Sequence, residues 1–172
     1  AGIGLVSYFS PIKTRIKEIT ETKYLYPEGI YFNSFNLRMA IYNCSISIIK
    51  EAPVIGYGPG DVQKELNSCY EKFNTQAFKK ERYNSHNQYL DYLLSFGVIG
   101  FIIILYCFLY YLKMARKNPD NKVYFNFLIL FYFTFLTENI LVRNTGMVLF
   151  VTFNCLLAYP ILEKQKINSK NH

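Results

Sequence analysis

The chain has no tryptophan and only two histidines, one of them the terminal His172. A histidine-based metal site is therefore out of reach, and any imidazole chemistry falls to His86. The four cysteines show neither a C-x-x-C pair nor the Cys/His spacing of a zinc site. No Asp-x-Asp pair is present to hold a divalent ion. Acidic residues are in the minority, 12 against 19 Lys and Arg, which raises the question of an anionic partner. The basic residues are spread out, however, and form no RNA- or DNA-binding module with the aromatics, so nucleic acid is not an expected partner. Ala1 to Phe9 is apolar but far shorter than the about 20 residues of a membrane span. With no basic residues ahead of it, it is not read as a signal peptide, and it is expected to be the end of a truncated transmembrane helix.

What the chain does contain is apolar and aromatic: 51% of its 172 residues are hydrophobic, yet its mean hydropathy is close to zero. Such an average means that polar and apolar residues are segregated. Residues 10–91 carry most of the charge. Residues 92–162 hold three apolar runs, Tyr92 to Leu112, Val123 to Val142 and Gly146 to Leu162, each able to cross the hydrocarbon, the third with some tilt or thinning. Lys113, Arg116, Lys117 and Lys122 crowd the first joint and Lys164, Lys166 and Lys170 follow the third run, whereas only Arg143 stands in the second joint. Basic joints stay in the cytoplasm. The expected fold is an all-α integral membrane protein, a polytopic helical fragment. It has a large helical extracytoplasmic loop over 10–91, three C-terminal transmembrane helices over 92–162 and a cytoplasmic tail over 163–172. Glu138 and Arg143, five apart across an expected helix end at the outer surface, are expected to pair with each other, the alternative being contact with substrate.

Within the loop, a short helix is expected around Pro11 to Glu18. From Asn36, Leu37, Ile41, Cys44 and Ile48 recur at the three-and-four spacing of one buried helix face until Pro53 stops it. Arg38 then falls in the first turn, where a cation opposes the helix dipole unless solvent screens it or an anion joins it. Pro53-Val-Ile-Gly-Tyr-Gly-Pro-Gly60 is a glycine-rich loop that can present backbone N–H groups of Gly56, Gly58 and Gly60 to phosphate, or simply make a tight turn. It lacks the Walker lysine and hydroxyl and matches neither Rossmann spacing nor its strand context, so a nucleotide site is not expected. A second helix from Asp61 places Val62, Leu66, Cys69 and Phe73 on one face. Cys44 and Cys69 thus lie on facing helices outside the cytoplasm and are expected to be close, bridged or not. Cys107 and Cys155 read as small apolar fillers. Ser85 followed by Gln88 reads as a capping box, starting a helix at Ser85 with His86 in its first turn. A histidine there is kept neutral beside an anion site and can act as a base, or it is a polar cap at a membrane interface.

Arg38, the loop Pro53 to Gly60, His86-Asn-Gln-Tyr-Leu90 and Phe96-Gly-Val-Ile-Gly100, in that order, resemble the C-terminal part of the O-antigen ligase and polymerase family. Two departures are that Tyr42 stands where the family often has Trp, and that an arginine expected in earlier spans lies outside the chain. The fragment alone is therefore expected to be inactive. The resemblance implies a membrane glycosyltransferase of the bacterial inner membrane with residues 10–91 in the periplasm. It would move a glycan from an undecaprenyl-diphosphate carrier to a hydroxyl of a lipid A-core, glycan or protein acceptor, with inversion and without nucleotide sugar, metal or other cofactor. Membrane lipid is a further expected partner. Arg38 matches the arginine that engages diphosphate and His86 the histidine that acts on the acceptor. Gly56, Gly58, Gly60, Asn87, Tyr89 and Arg143 complete the expected substrate contacts. A repeat-unit polymerase or a protein O-glycan ligase would use the same residues. A non-enzymatic binding or transport protein would instead need polar side chains lining its spans, for which Asn126 and Asn154 are the candidates.

Overall fold

The computed structural model describes residues 25–118 and 121–170, together with Lys13, Thr14 and Ile16, with side chains up to Lys164. The expected truncated span over 1–9, most of the expected helix at Pro11 to Glu18, and the side chains of Lys166 and Lys170 lie outside the described residues. The rest is all-helical, with two isolated β-bridges that tie Gly29 to Thr75 and Glu28 to Tyr31.

Helix α1, Ser34–Glu51, starts two residues before the expected Asn36. Asn33 is the reason: its Oδ1 accepts from the N–H groups of Phe35 and Asn36, both at 3.0 Å, while Asn36 Oδ1 accepts from Asn33 N–H at 2.9 Å. Arg38 therefore stands in the second turn, not the first. Helix α2, Val62–Tyr70, packs Val62, Leu66, Cys69 and Tyr70 against Ile41, Cys44 and Ile48 of α1. Each of these apolar side chains contributes roughly 1.5–3 kcal/mol by leaving water. A Cys44–Cys69 disulfide, with Cα atoms 5.8 Å apart, clamps the two helices. Cross-linking a loop of this length removes unfolded-chain entropy equivalent to about 3 kcal/mol. After the single turn α3, Ala77–Lys80, the chain enters α4, Gln88–Arg116.

Helix α4 is two helices. Gly97 has φ 61° and ψ −168°, which no helix accommodates. On a straight helix Tyr89 and Phe101 would stand about 18 Å apart along the axis, and Tyr92 and Phe108 about 24 Å. Their ring centroids are 6.5 and 6.3 Å apart, so the chain bends sharply at Gly97 and folds its two arms towards each other. The expected crossing run Tyr92 to Leu112 is therefore not one straight helix. The glycine loop between α1 and α2 fills the break. Tyr57 and Gly58 N–H donate to the carbonyls of Leu94 and Ser95 at 2.8 and 2.9 Å, and the Pro53 and Val54 carbonyls accept from Val98 and Ile99 N–H at 2.8 and 3.3 Å. The groups that a broken helix would orphan are met by an equally unpaired loop.

Helix α5, Lys122–Thr134, and α6, Asn144–Lys170, pack against the second arm of α4 around Met114, Tyr124, Leu128, Phe135 and Phe150. By length and composition, Gln88–Arg116, counted across its break at Gly97, and the Asn144–Lys164 part of α6 are apolar enough to cross a membrane. The expected helix from Val123 to Val142 is instead the 13-residue α5, about 20 Å long, followed by turns.

Candidate functional site

Residues 84–89 and 135–141 are laced together, and that lacing builds the site. Asn87, not Ser85, caps α4: its Oδ1 accepts from Tyr89 and Leu90 N–H at 2.9 and 3.0 Å. Asn87 and Ser85 are equally good cap residues, and the capping box fails because the nearer one takes the role. Asn87 Nδ2 donates to the Leu136 carbonyl at 3.0 Å, Gln88 N–H donates to the Phe135 carbonyl at 2.8 Å, and Leu141 N–H donates to Gln88 Oε1 at 2.8 Å. Tyr89 Oη donates to the Tyr132 carbonyl at 2.9 Å. Buried Asn139 donates from Nδ2 to Ser85 Oγ at 2.9 Å and to Asp91 Oδ1 at 3.1 Å. These bonds hold the residues after α5 in turns, in which the N–H groups of Phe135, Leu136, Thr137 and Glu138 close on the carbonyls of Phe131, Phe133 and Thr134.

The result aims Glu138 at both expected catalytic residues. His86 lies before the helix, at φ 46°, with its N–H donating to Asn84 Oδ1 at 3.0 Å. A non-glycine residue in this region is uncommon and stands only where its surroundings hold it. Its Nδ1 faces Glu138 Oε2 at 3.7 Å and is buried without a hydrogen-bond partner, leaving Nε2 as the nitrogen free for chemistry. Arg38, arriving from α1, places Nη2 3.4 Å from Glu138 Oε1 and donates from Nη1 to the Thr137 carbonyl at 3.4 Å. Both contacts are long, and the guanidinium is more than a third exposed, so its other N–H groups remain available. Burial lowers the His86 pKa from its ordinary 6.5; Glu138 pulls it up and Arg38 and Arg143 push it down, with a net lowering. The net effect favours the neutral imidazole.

Beside Glu138 opens a cleft of about 390 Å³ lined by Asn139, Ile140, Arg143, Thr145 and Gly146 as well. Arg143 is exposed on it, and the expected Glu138–Arg143 pair is replaced by Glu138–Arg38. The expected site residues therefore divide. His86, Arg38 and Arg143 gather around Glu138. Asn87 and Tyr89 spend their side chains on capping and on the Tyr132 carbonyl. Gly56 and Gly58 belong to the plug at Gly97: a Cβ on Gly56 would meet the Leu94 carbonyl oxygen at 2.6 Å, and Gly58 N–H is bonded to Ser95. Gly60 has open space around it. Asn154, an expected polar lining residue, accepts from buried Tyr124 Oη at 2.8 Å.

Glu138 is the site residue whose role was not read from the sequence. Its signal was there: it is the one acid between Asp120 and Glu163, in an otherwise apolar stretch.

The sequence profile described as O-antigen ligase matches residues 2–105, more than half of the chain. The match takes in Arg38, the glycine loop, His86 and the break at Gly97, and ends on α4 before Glu138. No curated protein and no solved structure matches the chain. With its order of motifs and its helical architecture, the chain belongs to the O-antigen ligase family.

Proposed function

We propose that this chain carries catalytic residues of an enzyme that transfers a glycan from undecaprenyl diphosphate to an acceptor hydroxyl at the outer face of the bacterial inner membrane. Family membership supplies the coarser statement, a membrane protein with a glycan-transfer role in O-antigen biosynthesis. The observation that carries the finer one is the meeting of Arg38 and His86 on Glu138, at 3.4 and 3.7 Å, from elements 100 and 52 residues away in sequence.

In this reaction the acceptor O–H gives its proton to His86 Nε2 while its oxygen attacks the anomeric carbon. The carbon–oxygen bond to the diphosphate breaks, its electron pair leaving with the phosphate on the opposite face, so the anomeric configuration inverts. Neutral imidazole suits the first task. A guanidinium fork suits the second, because charge grows on the departing diphosphate and Arg38 can meet two of its oxygens at once. Arg143, which lines the cleft with Glu138 and has no side-chain partner among the described residues, is the cation that would assist. Glu138 faces Nδ1 at 3.7 Å, near enough to act on the imidazole by its charge, and holds Arg38 until the diphosphate competes for it.

The test is transfer from a lipid-linked glycan by the complete protein in membranes. His86→Ala is expected to abolish transfer at normal protein levels, general-base catalysis being worth about 10²–10⁴ in rate. Arg38→Lys is expected to lose much of the activity because an ammonium cannot make the bidentate contact. Full activity in either His86→Ala or Arg38→Ala would sink the proposal. Offering lipid A-core, repeat-unit glycan and protein acceptors in turn separates ligase, polymerase and protein glycan ligase.

A further inference from the structure

The loop that plugs the α4 break turns apolar side chains outward where a water-soluble loop would turn polar ones. Val54 and Ile55 are 56% and 74% exposed. They lie against the first residues of the second α4 arm: the Val54 carbonyl accepts from Ile99 N–H, and a Cβ on Gly97 would touch the Val54 oxygen at 2.3 Å. Phe96, Val98 and Ile99 are also exposed there, and the same surface continues down the helix through Ile102, Ile103, Tyr106 and Leu109 at helical spacing. One apolar surface therefore runs from the loop tip onto the flank of the second α4 arm.

Length says what covers it. The apolar part of the second arm, Val98 to Leu112, rises about 22 Å before the basic residues at Lys113 and Arg116. A hydrocarbon core is about 30 Å thick. The helix comes up short at its outer end, and that end is where Val54, Ile55 and Phe96 stand. Lys50, Glu51 and Asp61, which flank the loop on α1 and before α2, are exposed and close the apolar segment with charge on both sides, as headgroup contact requires.

We infer that the Pro53 to Tyr57 loop is a bilayer foot: the disulfide-clamped α1–α2 hairpin inserts its tip among the outer-leaflet acyl chains beside the α4 break. The hairpin that carries Arg38 is then held to the membrane at both its bridge to α4 and its lipid contact. Insertion of a few ångströms is typical of interfacial segments. The inference rests on α4 being a membrane span and not on the transfer reaction.

The experiment is nitroxide labelling of the complete protein in phosphatidylethanolamine and phosphatidylglycerol vesicles, with the free cysteines replaced and the Cys44–Cys69 bridge kept. Single cysteines go in at Ile55, at Ile103 on the lipid-facing flank, and at exposed Glu71 on the hairpin. The Ile55 label is expected to side with Ile103, relaxing faster with oxygen than with a water-soluble nickel chelate, while Glu71 shows the reverse. If Ile55 sides with Glu71 while Ile103 senses lipid, the foot does not exist although the span does. If Ile103 also senses water, the span itself fails and the foot with it.

Discussion

His86 sits where two opposing influences can be separated by one substitution. Burial and the two arginines hold its pKa below 6.5, and Glu138 alone among its charged neighbours raises it. In the proposed transfer the useful form is the neutral one, so activity should persist below the usual histidine range and fall only as pH drops through the lowered value. Stability has the same sign: the unfolded imidazole gains its proton near 6.5 and the folded one lower, so stability is full above 6.5 and declines as pH falls from there towards the folded pKa. Glu138→Gln removes the raising charge, and the acid limb of kcat/KM should move to still lower pH. The rate at neutral pH should fall by between about 10- and 10⁴-fold, the upper end being what loss of an orienting carboxylate costs a triad histidine. An acid limb that stays put or moves up in Glu138→Gln would mean that the carboxylate does not act on the imidazole. The sequence could name His86 and Arg38 because each is a scarce reactive group in a family motif. It could not pair Glu138 with Arg38, since nearness along the chain favoured Arg143 and only the lacing of 84–89 to 135–141 decides otherwise.

At the scale of elements, the plug at Gly97 makes a graded prediction. Gly97→Ala would place its Cβ 2.3 Å from the Val54 oxygen, and Gly56→Ala 2.6 Å from the Leu94 oxygen, both against backbone and both at positive φ. Backbone cannot yield as a flexible side chain can, so each should destabilise by roughly 2 kcal/mol or more. Gly58→Ala, at φ 83° with nothing within 4 Å, should cost only the conformational strain, about 1–2 kcal/mol. Thermal unfolding in detergent ranks them, and equal losses at Gly97 and Gly58 would mean that the loop does not fill the break. Helices α1 and α2 and the nearness of Cys44 to Cys69 were legible because spacing, proline and glycine mark them locally. The break in α4 was not, because Phe96 to Gly100 is apolar on both sides and a lone glycine in such a run reads as tolerated. The early end of α5 was hidden for a related reason: Phe135, Leu136, Ile140, Leu141 and Val142 continue the apolar run, while residues 87 and 88 take the Leu136 and Phe135 carbonyls and hold that stretch in turns.

For the molecule as a whole, the question is which side of the membrane each joint occupies, and α5 is the element on which it turns. Its 13 residues rise about 20 Å, short of the hydrocarbon thickness. Non-helical backbone can complete a crossing only where protein satisfies it. The segment after α5 meets that condition: the carbonyls of Phe135, Leu136 and Thr137 are taken by Gln88, Asn87 and Arg38, and Phe135 and Asn139 are fully buried. Helix α5 with its laced extension can therefore return the chain to the side of His86, which puts Arg143 there too and sends α6 back across. The exposed cations Lys113, Arg116, Lys117 and Lys122 are then expected to share the opposite, cytoplasmic side. A membrane-impermeant maleimide applied to spheroplasts, with the exposed Cys107 and Cys155 replaced, should label cysteines introduced at exposed Gln76 and Thr145 and spare one at Lys117 until the membrane is permeabilised. Labelling of Gln76 with Thr145 protected would mean that α5 does not cross and that Arg143 cannot reach the glycan. Labelling of Lys117 with Gln76 protected would invert the whole chain and place His86 in the cytoplasm, away from any acceptor outside it.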